Sequence, residues 1–372
     1  FEKSFYGTSE QTKEQGQFPV LRMGNMQNGY LNLDKLAYLD LSENEFQKYQ
    51  LIKGDLLLNR TNSYDLVGKV SLFNLNEPFI AASYIVAYRP DKKILNSIFI
   101  NNLLNTTFFQ KKIRELATIG VSQVNINPTI FKNTIKIPLP HLEEQEKIAA
   151  ILSTWDEAIS RQQQLIKQKN IFKKSMLQQI FAGKIHFKDD NGNDFAVWEE
   201  KKLVKLCQIK KGEQLNKIDM LENSIYPVLN GGIEYTGFTD KFNYEESTIA
   251  ISEGGNSCGY VSWVKSKFWA GGHCYILVNS LVNSSYLFQV LKYSENKIMA
   301  LRVGSGLPNI QKATLEKFNL RVSLNMVEQT KIANFLTNID TDITKQTEIL
   351  GQLSQQKKSL MQKLLTGQIR VK

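Results

Sequence analysis

Two stretches of the chain carry apolar residues at alternating steps of four and three. In the first they are Ile148, Leu152, Trp155 and Ile159, then Ile166, Met176 and Ile180. In the second they are Ile332, Leu336, Ile339, Ile343, Leu350, Leu353, Leu360 and Leu364. That spacing lays one apolar stripe along a helix and predicts a coiled-coil seam. The only Gly or Pro inside either stretch is Gly351, so both read as long unbroken helices. Gly183 and Gly367 follow where a helix takes a left-handed residue to close its last turn.

The two stretches are copies of each other. Sliding the chain by 184 residues aligns Glu144–Ile185 with Glu328–Ile369 without a gap, with about 16 of 42 positions identical. Gln162 and Gln346 fall at the same seam position, as do Lys173 and Lys357. Polar residues in a seam cost stability and can fix its register. The alternative is a local rotation that lets these side chains reach solvent, and the sequence leaves both open.

The segments before the helices also repeat, more loosely. Phe18-Pro19-Val20-Leu21 matches Tyr226-Pro227-Val228-Leu229, and Asn62-Ser63 matches Asn256-Ser257 beyond an apolar, strand-like run. Gly120 and Asn125-Ile126 match Gly304 and Asn309-Ile310. Short β-rich runs alternate with Gly, Asn and Ser turns, with one amphipathic helix expected near Ile98–Leu116. The expected fold is therefore α+β, with two globular domains separated by two long helices that pack as an antiparallel coiled coil with a pseudo-two-fold. The boundaries read as a first domain at 1–140, a long helix at 141–185 and a linker at 186–197. A second domain follows at 198–324, then a second helix with its tail at 325–372. The second domain starts near Trp198, well before Tyr226, whereas only 17 residues precede Phe18, so the start of the first domain looks missing.

Composition narrows the class. Lys and Arg outnumber Asp and Glu by 46 to 36, a balance that suits a polyanionic partner without proving one. Three cysteines, an odd number in a long chain, argue against a disulfide framework and for a reducing, cytoplasmic setting. No apolar run is long enough to span a membrane, and Phe1–Phe5 does not read as a secretory signal.

The start of the first helix, His141-Leu142-Glu143-Glu144-Gln145-Glu146-Lys147-Ile148 after Ile137-Pro138-Leu139-Pro140, resembles the specificity subunits of type I restriction-modification enzymes. So do Lys-Lys-Ser followed by Gln and a terminal Gly at both helix ends, the Gly54–Thr61 stretch and the Ile251–Asn256 stretch. The resemblance covers essentially the whole chain, although the second copy has Val322-Ser323-Leu324 where the first has the Pro-Leu-Pro lead-in. It implies two target recognition domains, each reading one half of a split site in double-stranded DNA, with the paired helices as a ruler. A seam from Ile148 to Ile180 would run about 50 Å at 1.5 Å per residue, enough to set half-sites about 34–36 Å apart. It also implies two modification (methyltransferase) subunits using S-adenosylmethionine, and restriction (translocase) subunits using ATP and Mg. This chain would hold no cofactor.

Base edges are read by Arg, Lys, Asn and Gln, and phosphates are held by Lys, Arg and small hydroxyls. In the first domain the loop with Arg60, Thr61, Asn62 and Ser63 has that chemistry, as does the loop with Arg22, Asn25, Gln27 and Asn28; Lys69 suits a phosphate. Arg60 fits guanine, or alternatively a structural ion pair with Asp55 or Asp65. In the second domain the candidates are Asn230, Ser252, Glu253, Asn256 and Ser257. Glu253 fits cytosine, or alternatively stabilises a turn. Lys167, Lys169, Lys173, Lys174, Lys357 and Lys358 make the helices basic, read first as a solvated face.

Catalytic constellations are not apparent. There is no Walker loop, no dinucleotide fingerprint at Gly304-Ser305-Gly306, and no Asn-Pro-Pro-aromatic tetrapeptide of the kind adenine methyltransferases carry. His273 and Cys274 lie near Cys258 without a Cys-x-x-Cys pair, so no metal site is expected. The reading is a DNA-recognition subunit rather than an enzyme; a coiled-coil adaptor for proteins, or the specificity subunit of a related restriction-modification enzyme, is the alternative.

Overall fold

The computed structural model describes residues 1–371 except 28, 121, 122, 222, 223 and 305. The two long helices run Leu142–Phe181 and Met326–Leu365, 40 residues each. The compact units follow packing rather than chain order. One comprises 1–161 with 350–372, the other 162–349. Each helix therefore gives one half to each unit.

Within the first unit, Ile148, Ala149 and Leu152 share a core with Leu364 and Leu365. Within the second, Leu177, Ile180 and Phe181 share a core with Ile332, Ala333 and Leu336. In both, the start of one helix lies beside the end of the other. None of the expected seam residues is exposed. Gly183 and Gly367 adopt φ of 70° and 73° and close their helices by donating to Ile180 and Leu364.

Each unit carries the same sheet. In the first, the strands Lys3–Tyr6, Ile85–Arg89, Leu56–Asn59 and Val70–Leu72 lie in that order, all antiparallel. In the second, Gln208–Lys211, Cys274–Val278, Thr248–Ser252 and Val261–Val264 repeat it. A smaller sheet repeats too: Phe18–Leu21 pairs in parallel with Ile80–Ala81, and Tyr226–Leu229 with Trp269–Ala270. Both faces of the large sheet are covered, which explains its continuous apolar runs. Side chains alternate across a strand, so Leu56 and Leu58 face the helices while Leu57 faces the small-sheet side. Ile249 and Ile251 against Ala250 divide in the same way.

The single helix expected near Ile98–Leu116 is instead two, Ser97–Leu104 and Thr107–Glu115. Thr106 breaks it by capping the second helix, its hydroxyl accepting from the Phe109 amide. Asn105 fills the gap, donating to the carbonyls of Val70 and Asn101. The units differ at one edge: Asn319–Val322 pairs with Glu199–Lys202, while the corresponding 135–138 segment forms no strand. Among the described residues, no helix is long and apolar enough to cross a membrane.

Candidate nucleic-acid interface

The loops after Leu56–Asn59 and Thr248–Ser252 share one backbone design. In the first unit the Arg60 amide donates to the Tyr84 carbonyl, and the Arg60 carbonyl accepts from the Ile126 amide. In the second the Glu253 amide donates to His273, and its carbonyl accepts from Ile310. Gly68 closes the first loop onto Asn59, and Gly259 closes the second onto Ser252. Arg60 and Glu253 are thus the same position carrying opposite charge. The match of Asn62 with Asn256 is one residue out of register, because the first loop spans nine steps from Asn59 to Gly68 and the second seven from Ser252 to Gly259.

The first strand of each large sheet supports that position. Tyr6 pairs with Val86 and Lys211 with Tyr275, which places Tyr6 and Lys211 at equivalent points. The Arg60 guanidinium lies 5.3 Å from the centre of the Tyr6 ring. No ion pair involves Arg60 among the described residues; Asp55 is taken by Arg89, through two bonds of 2.9 Å. The Arg60 Nε is buried without a partner among the described residues. Glu253 accepts from Lys211 Nζ at 2.8 Å and from the Tyr275 hydroxyl at 3.0 Å. Burial, followed by that carboxylate, raises the pKa of the Tyr275 phenol and keeps it protonated.

The remaining expected contacts divide into two groups. Asn25 and Ser252, expected to face a partner, are buried and used internally. Asn25 accepts from the Arg22 amide at 2.8 Å and donates to the carbonyls of Asn32 and Lys35. Ser252 and Ser257 both bond the Gly231 carbonyl. A short polar side chain beside a glycine-rich turn satisfies the carbonyl that the turn strands. Asn230 accepts from the His273 amide, and Thr61 donates to Asn125 at 2.6 Å. Gln27 donates to Gly24, and its own carbonyl accepts from Ser71.

The outward group comprises Arg22, Ser63 and Asn256, which are exposed, with Arg60, Asn62 and Lys69 half-buried. Arg22 and Tyr84 line a cavity of about 470 Å³. The Tyr84 carbonyl also accepts the Arg60 amide, so Tyr84 adjoins both polar loops of the first unit. Asn28 lies outside the described residues.

The sequence reading missed the buried pair Gln145 and Gln329. Gln145 accepts from the Asn96 amide and donates to the carbonyls of Ile94 and Pro140. Gln329 accepts from Asn283 and donates to Ser323. Asn96 and Asn283 cap the domain helices Ser97–Leu104 and Ser284–Tyr293, so each glutamine ties a domain to the start of its long helix. The signal was available: both fall in the duplicated Glu-Gln pair at the helix start.

All three cysteines are free and buried, with burial pushing Cys207 up to about 12 and Cys274 to about 11. Such thiols stay protonated and are poor nucleophiles or ligands. Among the described residues no cluster of three His, Cys, Asp or Glu could hold a metal ion.

Two equivalent α+β bodies, each with a polar loop of the same backbone geometry and each tied to a long helix by a buried glutamine, define a protein built of two like units. The chain belongs to the type I restriction modification DNA specificity domain family, whose sequence model matches twice, at residues 2–169 and 197–353. It is 30% identical to a Methanocaldococcus jannaschii protein assigned as the MjaX type I restriction enzyme specificity subunit, across 98% of this chain and 90% of that one. It is 26% identical to the MjaVIII specificity subunit of the same organism, across 80% and 76%. Its fold is similar to that of the S subunit of a type I restriction-modification system from M. genitalium, with a TM-score of 0.65 at 19% identity, covering 98% of this chain and 93% of that one.

Proposed function

We propose that this chain is the DNA-reading subunit of a type I restriction-modification enzyme, with each unit reading one half of a bipartite duplex site. The observation that carries the reading is the equivalence of Arg60 and Glu253. One backbone position, supported from one strand position, presents a cation in one unit and an anion in the other. Arg pairs with guanine and Glu accepts from cytosine, so a duplicated frame reads two different half-sites by exchanging side chains. The net charge of +10 supplies the phosphate attraction.

The long helices serve as the scaffold, packed as an antiparallel coiled coil. Two modification subunits dock on this chain and carry S-adenosylmethionine. Restriction subunits, where they join, carry ATP and Mg. This chain contributes recognition and no chemistry, and it works in the cytoplasm, where its substrate is.

Sequencing methylated adenines in the host tests the reading. A bipartite motif is expected; a continuous palindrome would overturn it. A gel shift of the assembled methyltransferase on that motif separates this reading from a protein-only adaptor, which would shift target and scrambled duplexes alike.

A further inference from the structure

We propose that an aliphatic side chain beside each reading loop inserts into the base stack of the half-site that unit reads: Ile119 in the first unit and Leu307, seconded by Val303, in the second. This deepens the DNA-reading function and rests on it.

In the first unit the strand Ala117–Ile119 pairs with Val124–Ile126, which pairs with Thr61–Asn62 of the reading loop. Ile119 is therefore carried on the same small sheet as the loop, and it is 78% exposed. In the second unit the same place is built without continuous strands. Val303 bridges to Asn309, and Asn309 bridges to Gly254 of the reading loop. Again the outward residues are aliphatic: Val303 is 53% exposed and Leu307 is 86%. Asn125 and Asn309 are the shared hub, one offset of 184 apart. Different local builds have thus kept an uncovered aliphatic group beside the loop in both units.

The surroundings select the occupant. Lys111, Lys112 and Arg114 sit on the helix Thr107–Glu115 that leads into the strand Ala117–Ile119. Exposed Arg302 precedes Val303, and exposed Lys312, paired with Glu316 at 3.7 Å, lies five residues after Leu307. An apolar tip with basic residues on the adjoining segments matches a duplex, with phosphates outside and apolar base faces within. Protein interfaces have cores depleted of charge and suit it less. Leu and Ile are side chains that proteins use as wedges between base steps, kinking the duplex.

The test uses the full chain assembled with its modification subunits and target duplexes carrying 2-aminopurine. The probe is placed at each step in turn, except at the methylated adenines, where base flipping gives its own signal. A several-fold fluorescence rise is expected at one step in each half-site. Ile119→Ala should abolish it in one half-site and Leu307→Ala in the other, with both variants still distinguishing target from scrambled duplex in a gel shift. Both residues lie on the surface, so thermal melting should not change. The proposal is overturned if wild type gives no rise at any step, or if the rise survives both substitutions. It is overturned equally if Ile119→Ala releases the modification subunits while the fluorescence stays, which would make this a protein contact. A complex that never distinguishes the target in the gel shift would instead defeat the DNA-reading function itself.

Discussion

Arg60 rests on the ring of Tyr6, and the two equivalent positions in the second unit hold Glu253 and Lys211. The support differs in kind but serves the same backbone position. A cation over an aromatic face keeps its donors free for a partner, whereas an ion pair engages the carboxylate in part. Arg60→Ala should cost about 1–3 kcal/mol of duplex affinity, confined to one half-site. Tyr6→Leu should cost less, about 0.5–1 kcal/mol, at the same half-site. Glu253→Ala should act only at the other. Competition binding with duplexes mutated in one half-site at a time measures this; equal losses on every duplex would make Arg60 a phosphate contact.

Removing Gln145 or Gln329 should loosen a domain from its helix. Each is fully buried and serves both an amide and a carbonyl of the chain. Gln145→Ala or Gln329→Ala leaves those groups unpaired, at about 1–3 kcal/mol each. Urea unfolding should show the loss, and hydrogen exchange should place new opening at Asn96 or Asn283. A Gln→Glu substitution should not rescue either site, because it removes the amide donor and buries a charge.

The long helices were legible because one apolar stripe recurs at alternating steps of four and three through most of their length, and the glycines that close them need a positive φ. The two-domain frame was legible from the offset of 184. The reading loops were harder. Asn62 and Asn256 look alike but are not equivalent, whereas Arg60 and Glu253 are equivalent and have opposite charge. Loop length and side-chain exchange hide a position that only the backbone hydrogen bonds reveal. Asn25 and Ser252 have the chemistry of base readers, but burial turned them inward, and a polar side chain in a turn gives no sign of its direction. The break at Thr106 was missed for a related reason: the apolar stripe continues across it, while one hydroxyl cap ends one helix and begins the next.

The first unit should carry an acid-sensitive clasp. Arg370 bonds Glu144 through Nε and Nη2, both at 2.6 Å, and holds that carboxyl below its ordinary value of 4.5. The folded pKa is depressed, so the stabilisation is fully present above the unfolded value and is lost as pH falls through the folded one. Between pH 6 and pH 3, wild type should therefore lose more stability than Arg370→Ala, and the two should converge at the acid end. Urea midpoints across that range measure it; parallel curves would mean the pair contributes nothing.

The polar residues in the helix pair should trade stability for a defined register. Gln162 Nε2 donates to the side chain of Gln346 at 2.9 Å and to its backbone carbonyl at 2.8 Å, so the two residues placed alike in the repeat meet each other. Lys173 pairs with Asp340 at 2.6 Å in one unit, and Lys357 with Asp156 at 2.5 Å in the other, the same pair after a shift of 184. A slipped register would leave these groups facing apolar neighbours, which is how a polar seam position enforces one alignment. Replacing both glutamines by leucine removes that penalty and adds apolar burial, so the melting temperature should rise. The same variant should lose uniqueness, giving mixed oligomers by light scattering and a broadened footprint on the target duplex. A double-leucine protein that melts lower than wild type, or that melts higher and stays uniform, would show that the glutamine pair does not set the register.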